Sequence, residues 1–247
     1  APGNPQVREA LAKSINDRFG THFAGKNLFM TAGAAAAITI CFKALCEEGD
    51  EFITFAPFFP EYRCFVESVG GKLVVVPARV EDFQIDFAAF ESLLTPHTKA
   101  VIVNSPNNPT GYVLSPAEVD VIARVAKKHD LWVLSDEAYE ELWFTDSRPV
   151  PLWNHDALRD RAIAVHTMSK SYGLAGARGG YVHGPKAILA ALRSVHTFQS
   201  YGAASPMQWA AAKALRDGDE WLKHARTQYR EARDVAAAAL GTAPPMG

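Results

Sequence analysis

The sequence predicts an α/β domain built on a mainly parallel sheet. Short β-branched or aromatic runs alternate along the chain with longer helical stretches, the order that right-handed crossover connections require. Several of those runs are apolar throughout, with no period-two alternation, as strands covered on both faces are. Strands are expected at 51–55, 72–76, 100–104, 131–135, 162–167 and 180–182.

Helices are expected at 34–47, 61–69, 115–128, 185–195, 206–215 and 219–240. The third has the clearest start. Ser115 is placed to cap it, Pro116 suits the first helical position and Glu118 closes a capping box. Its apolar residues Val119, Ile122, Ala123 and Ala126 recur at helical spacing.

The bulk composition narrows the function classes. With 247 residues the chain can form one large domain or two small ones. Its formal net charge of −2 offers no broad basic field for nucleic acid or an anionic membrane. Cys41, Cys46 and Cys64 are odd in number and fit no zinc spacing, so they read as buried free thiols in a reducing compartment and no metal is expected. The first residues have neither a basic nor an apolar signal region, and no apolar run reaches membrane-spanning length. A cytoplasmic protein follows by elimination. The chain lacks an initiator Met and closes on the Gly/Pro/Ala coil Gly241 to Gly247, so it is expected to be a piece of a longer protein.

Parallel sheets bind ligands beyond the C-terminal ends of their strands, so the residues after each strand matter most. After 100–104 comes Ser105-Pro106-Asn107-Asn108-Pro109-Thr110-Gly111. A tight loop is the plain reading, although two Asn and two Pro in seven residues are dense for one. After 131–135 comes Asp136-Glu137-Ala138-Tyr139. Asp136 reads either as a helix cap or as a carboxylate held in the crevice. After 162–167 comes Met168-Ser169-Lys170, then a loop with four glycines and Arg178 eight residues past the lysine. A lone lysine is ordinarily a solvated charge, but this one leaves an apolar strand beside backbone that can approach a ligand closely. Before helix 34–47, Gly33-Ala34-Ala35 leaves backbone N–H groups open to an anion.

Jointly, in this order and spacing, these stretches resemble the class I/II aminotransferase family of fold-type-I pyridoxal-phosphate (PLP) enzymes. The matching segments are Gly33–Ala37, Pro57-Phe58-Phe59-Pro60-Glu61-Tyr62, Asn107–Gly111, Ser135–Tyr139 and Ser169–Gly180. The likeness begins near Gly3-Asn4-Pro5-Gln6, which is similar to the family's lead into its first large-domain helix, and runs to at least Leu215.

The resemblance implies a three-layer α/β/α large domain over 1–218 and the start of a small domain over 219–247. It implies PLP as cofactor, an amino acid and a 2-oxo acid as substrates, and a homodimer. Lys170 would bond the cofactor aldehyde and then move the substrate proton. Asp136 would face the pyridine nitrogen. Tyr139 and Asn108 would hydrogen-bond the ring's 3-oxygen. Arg178 would grip the phosphate as a bidentate fork, with Gly33 and the backbone of Ala34 and Ala35 completing the cradle and Thr167 adding a hydroxyl. Phe59 would stack on the ring, with Tyr62 the second candidate. The Asn108-Pro109 peptide is expected to be cis, because the motif must turn sharply at a strand end.

Some positions depart from the pattern. Many relatives carry Ser or Thr where Ala35 stands, and Thr167 and Gly179 also differ from the commonest residues. The family's substrate-carboxylate arginine and the phosphate-binding tyrosine of its neighbouring subunit fall outside the resemblance, so this chain is expected to bind PLP at best. Arg226, Arg230 and Arg233 on the last helix read as solvated face. The same cofactor residues also serve C–S lyases, cyclases and synthases, and an aminotransferase-like sensor domain of a transcriptional regulator stays open.

Overall fold

A computed structural model describes residues 2–79 and 84–247. Seven strands form one sheet: β1 (Leu28–Thr31), β2 (Glu51–Phe55), β3 (Lys72–Val76), β4 (Thr98–Asn104), β5 (Trp132–Asp136), β6 (Ala162–Thr167) and β7 (Gly180–His183). Their spatial order is β1-β7-β6-β5-β4-β2-β3. β7 runs antiparallel to both neighbours, and every other pairing is parallel. β1 therefore runs in the same direction as β6, and all strands but β7 end at the same edge of the sheet.

The absence of period-two patterning has its cause here, since the sheet is covered on both faces. Successive residues of a strand enter opposite cores. Ile53, Val101, Val133 and Ala164 belong to one buried cluster. Their neighbours Phe52, Ile102, Leu134 and Ile163 belong to the other. The first core is closed by α1 (Pro5–Phe19), α4 (Phe87–Ser92), α5 (Pro116–Lys128) and α8 (Ser205–Asp217). The second is closed by α2 (Ala34–Leu45), α3 (Glu61–Glu67) and α7 (Lys186–Ser200). This is the three-layer α/β/α architecture.

Local chemistry sets the helix ends. Asn4 caps α1 by accepting from Gln6 N at 2.8 Å, and Gly20 ends it in the left-handed region. The capping box at α5 forms as its sequence demands: Ser115 N donates to Glu118 Oε2 at 2.8 Å and Glu118 N to Ser115 Oγ at 3.4 Å. The edge strand β1 is not left open. Met30 N donates to Pro2 O at 2.9 Å, and Arg193 on α7 reaches the Leu28 carbonyl at 3.4 Å.

Two expectations need correction, and two elements were not foreseen. The strand β1 and the short helix α4 were not legible as separate elements. The thiols are not uniformly buried: Cys41 is, Cys46 is half-buried and Cys64 is exposed. Two of the three arginines on α9 (Asp219–Leu240) are also not solvated. Arg226 packs over the Trp143 ring at 4.9 Å and donates to Glu141 O at 3.2 Å. Arg233 lies 4.7 Å from the Phe144 ring centroid and donates to Pro245 O at 2.8 Å. Long side chains with aliphatic stems cover apolar surface in this way; Arg230 is exposed as expected. No helix among the described residues is long and apolar enough to cross a membrane.

Ile122 is fully buried where α5 meets the sheet. Ile122→Ala is expected to lower unfolding stability by about 2–5 kcal/mol, read as a lower urea midpoint with an unchanged slope. A loss below about 1 kcal/mol would mean that this interface repacks freely.

Candidate functional site

The common strand edge opens into a pocket of about 240 Å³. Ala34, Ala35, Phe59, Asn108, Asp136, Tyr139, Thr167, Lys170 and Arg178 all line it. They come from six separate stretches: the start of α2, the loop after β2, the motif after β4, the end of β5, the end of β6 and the loop before β7. Gly33 lies directly behind them.

Asp136 is 5% exposed at the tip of β5. Its Oδ2 accepts from the Tyr62 hydroxyl at 2.5 Å and its Oδ1 from Ala138 N at 3.1 Å. No Lys, Arg or His among the described residues pairs with it. Burial pushes its pKa up, and the two hydrogen bonds oppose that rise. Tyr62, the second candidate for ring stacking, is itself buried under the pocket and holds Asp136 instead. Phe59 lines the space with Tyr139, and is set edge-on to Tyr62 at 5.5 Å.

The motif after β4 is folded by its own side chains. Asn104 Nδ2 donates to Asp136 O at 2.9 Å, and Asn108 N donates to Asn104 Oδ1 at 2.8 Å. Asn108 Nδ2 then reaches the Tyr139 hydroxyl at 3.3 Å. The Asn108-Pro109 peptide is cis, as are Ser105-Pro106 and Ala56-Pro57.

At the opposite wall Arg178 adopts φ +51, an uncommon conformation for a residue with a side chain. Its guanidinium donates to Ala175 O at 2.9 Å and Ala32 O at 3.3 Å, and meets no carboxylate among the described residues. A Cβ on Gly33 (φ +87) would stand 2.5 Å from Arg178 Nη2, so only glycine lets the guanidinium lie against the start of α2. The first N–H groups of α2 have no intrahelical acceptor and point at the same corner. Lys170 is exposed to the pocket, its Nζ 5.9 Å from the Tyr139 ring centroid and in no ion pair among the described residues. Thr167 Oγ1 accepts from Ser169 N at 3.1 Å and donates to Ser169 Oγ or Gly179 O, so its hydroxyl shapes the turn into the lysine.

Sequence reading missed a polar layer beneath the pocket. Ser135 donates to Glu137 at 2.6 Å, and Glu140 meets His166 Nδ1 at 2.7 Å. His166 stacks between Tyr181 at 4.4 Å and His183 at 5.0 Å. Burial raises Glu140 to about 8 and lowers His166 to about 3, so the pair is neutral at neutral pH. Glu137 is raised by burial and by Glu140. The available signal was spacing: Ser135 and Glu137 lie two apart along the strand direction, on the face opposite Asp136.

The fold and this strand-edge crevice together define an α/β protein of the ligand-binding, open-sheet kind. Across residues 1–246 the sequence matches the family described as Aminotransferase class I and II. The chain belongs to that family. It is 32% identical over 245 residues to an arginine–pyruvate transaminase of Pseudomonas aeruginosa, covering 99% of this chain and 62% of the relative. A methionine aminotransferase of Escherichia coli is 32% identical over 239 residues, with 96% and 61% covered. The solved structure of N-succinyldiaminopimelate aminotransferase from Mycobacterium tuberculosis superposes with a TM-score of 0.93 at 34% identity, covering 97% of this chain and 63% of that one. This chain thus spans about three-fifths of the length of the curated relatives it matches.

The acidic layer predicts a pH dependence. A carboxyl whose folded pKa is raised stabilises fully below its unfolded value of 4.5, and that stability is lost as pH rises through about 8. Glu140→Gln removes the titration. Its unfolding free energy relative to the parent should grow by more than about 1 kcal/mol between pH 5.5 and 8. An unchanged difference in urea titrations at the two pH values would show that Glu140 is already ionised in the folded protein.

Proposed function

We propose that this protein binds PLP in the strand-edge pocket and transfers an amino group between an amino acid and a 2-oxo acid. One observation carries the reading: a single pocket assembles three ionisable groups with no counter-charge among the described residues. They are the buried carboxyl of Asp136, the Arg178 guanidinium beside an open helix start, and the Lys170 amine. PLP has one complementary pole for each, namely a protonated pyridine nitrogen, a phosphate and an aldehyde, and when bound it supplies an electron sink for the substrate carbon.

The residues divide the work as follows. Asp136 would hold a proton on the pyridine nitrogen, and the Tyr62 hydroxyl fixes its carboxyl group. Asn108 and Tyr139, already in contact, donate to the ring oxygen. Arg178 forks onto the phosphate with the N–H groups of Ala34 and Ala35, and Gly33 leaves room for it. Phe59 covers the ring face. Lys170 would be the residue that holds the cofactor aldehyde, and its amine, once free, would be placed to accept and return a proton. Lys170, Asp136 and Tyr139 are the catalytic set. Thr167 acts here through the turn it holds.

The activity belongs to the whole protein, of which residues 1–218 are the large domain and α9 opens the small one. The family resemblance supports a homodimer in the cytoplasm, without nucleic acid or membrane as partner.

Borohydride reduction of the PLP-treated protein followed by peptide mapping should label Lys170. Label on Lys186 or Lys213 would remove the assignment. Asp136→Asn should cost at least a hundredfold in turnover, since breaking a buried ion pair costs about 3–5 kcal/mol. Tyr62→Phe should cost about tenfold to a hundredfold, the worth of one hydrogen bond to a charged group. Equal losses for the two would contradict the subordinate role given to Tyr62. The reaction class is tested by supplying the full-length protein with amino acids and 2-oxo acids and measuring the new amino acid by mass spectrometry. Release of ammonia or thiol without a new amino acid would replace transfer with elimination.

A further inference from the structure

Lys170 lies on α6 (Met168–Ser171), a helix of four residues, too short to hold its own shape. The start of this turn is anchored to the sheet. Met168 N donates to Gly179 O at 3.0 Å, and Thr167 Oγ1 accepts from Ser169 N at 3.1 Å. The bonds at its far end are longer. Tyr172 N reaches Met168 O at 3.3 Å, and Gly173 N reaches Lys170 O at 3.5 Å.

A further support for that end comes from another part of the chain. Trp221 Nε1, in the first turn of α9, donates to the Ser171 carbonyl at 3.1 Å across 50 positions of sequence. The indole also passes Gly173 (φ +64) so closely that a Cβ there would meet Trp221 Cζ2 at 3.7 Å. Trp221 is 52% exposed, so burial of its ring does not account for its placement. The directed bond to the residue after Lys170 does.

The indole is fixed in turn by the seating of α9. Leu222, the next residue, is 1% exposed and belongs to the same buried cluster as Met168 and Tyr172. Asp219 pairs with Arg18 at 2.8 Å. Gly218 sits so near Tyr172 that a Cβ on it would stand 2.6 Å from Tyr172 Cε1. The start of α9 is thus packed against Ser171, Tyr172 and Gly173, the three residues that follow the lysine.

We propose that Trp221 is a positioning residue for Lys170. By holding the Ser171 carbonyl it fixes the turn from which the amine projects, so the seating of α9 sets where that amine stands in the pocket. A small displacement of a reacting group is costly in rate, which makes one bond at this turn consequential. The inference rests on the role given to Lys170 above.

The test uses the full-length protein with PLP bound, in the parent, Trp221→Phe, Trp221→His and Lys223→Ala forms. Phenylalanine keeps a ring over Gly173 and loses the N–H. Histidine offers an Nε2–H at the ring position of indole Nε1. Lys223 is exposed two residues along α9 and serves as the control. The first readout is the visible circular dichroism of the bound cofactor divided by its absorbance, a ratio that does not depend on how much protein is loaded. It is expected to fall in Trp221→Phe and to match the parent in Trp221→His and Lys223→Ala. The second is turnover per Lys170-bound PLP, expected to fall about threefold to tenfold in Trp221→Phe with KM for the amino acid within about twofold of the parent. Parent values of both in Trp221→Phe overturn the proposal. So do equal losses in Trp221→Phe and Trp221→His, or a matching loss in Lys223→Ala. If Trp221→Phe does not fold, Trp221→His decides: the parent ratio supports the proposal and a lowered one overturns it. Borohydride mapping of the same samples separates the inference from its basis. No label on Lys170 in the parent removes both, whereas label on Lys170 throughout with unchanged ratios removes only the role of Trp221.

Discussion

A buried carboxyl group with no cation beside it among the described residues is the constraint around which this molecule is arranged. Left to itself, Asp136 would take up a proton, because its surroundings cannot solvate a charge. What opposes this is a donor from α3, the Tyr62 hydroxyl, and one backbone N–H from the turn that follows β5. Both are fixed by the cores. Tyr62 is locked among the apolar side chains of the layer formed by α2, α3 and α7, and Ala138 is placed by the end of the strand. The motif after β4 is anchored to the same residue, since Asn104 bonds the Asp136 carbonyl and in turn positions Asn108. One strand tip thus organises three loops.

Directly beneath it the molecule carries polar side chains in an otherwise apolar layer. Burial pushes Glu137 and Glu140 above, and His166 and His183 below, their ordinary pKa values, which favours the neutral form of each. Nearby Glu141 follows the other rule. It is buried and ionic, and meets Arg18 on α1, Arg148 in a bidentate fork and Arg226 on α9. Consecutive residues of one turn therefore use the two remedies available to a buried acid, protonation and complete pairing. The second joins three distant segments of chain.

The sheet and most of the pocket were legible because they obey rules local to each segment. Runs such as Val101–Val103 and Ile163–Val165 are apolar on both faces, which marks a covered strand. The residues that follow each run then mark the crevice. α4 has only six residues, too few for a period to show. The Tyr62–Asp136 bond spans 74 positions, and nothing near Tyr62 distinguishes a stacking ring from a donor. Arg226 and Arg233 were misread because a charged helix face looks solvated until the loop that packs on it is known.

The reversed strand β7 has a consequence for the spacing of the pocket. Thr167 and Gly180 face each other in register, and Met168 N bonds Gly179 O at 3.0 Å, so residues 168–179 form a loop closed at its base. Lys170 and Arg178 both belong to it. The span between amine and guanidinium is therefore gauged within one locked hairpin, like a calliper set once. Phe59, Asn108 and Tyr139 arrive on separate loops that do not share this joint. Those three can move with their own loops while the spacing of the lysine and the arginine is kept by the closed base of theirs.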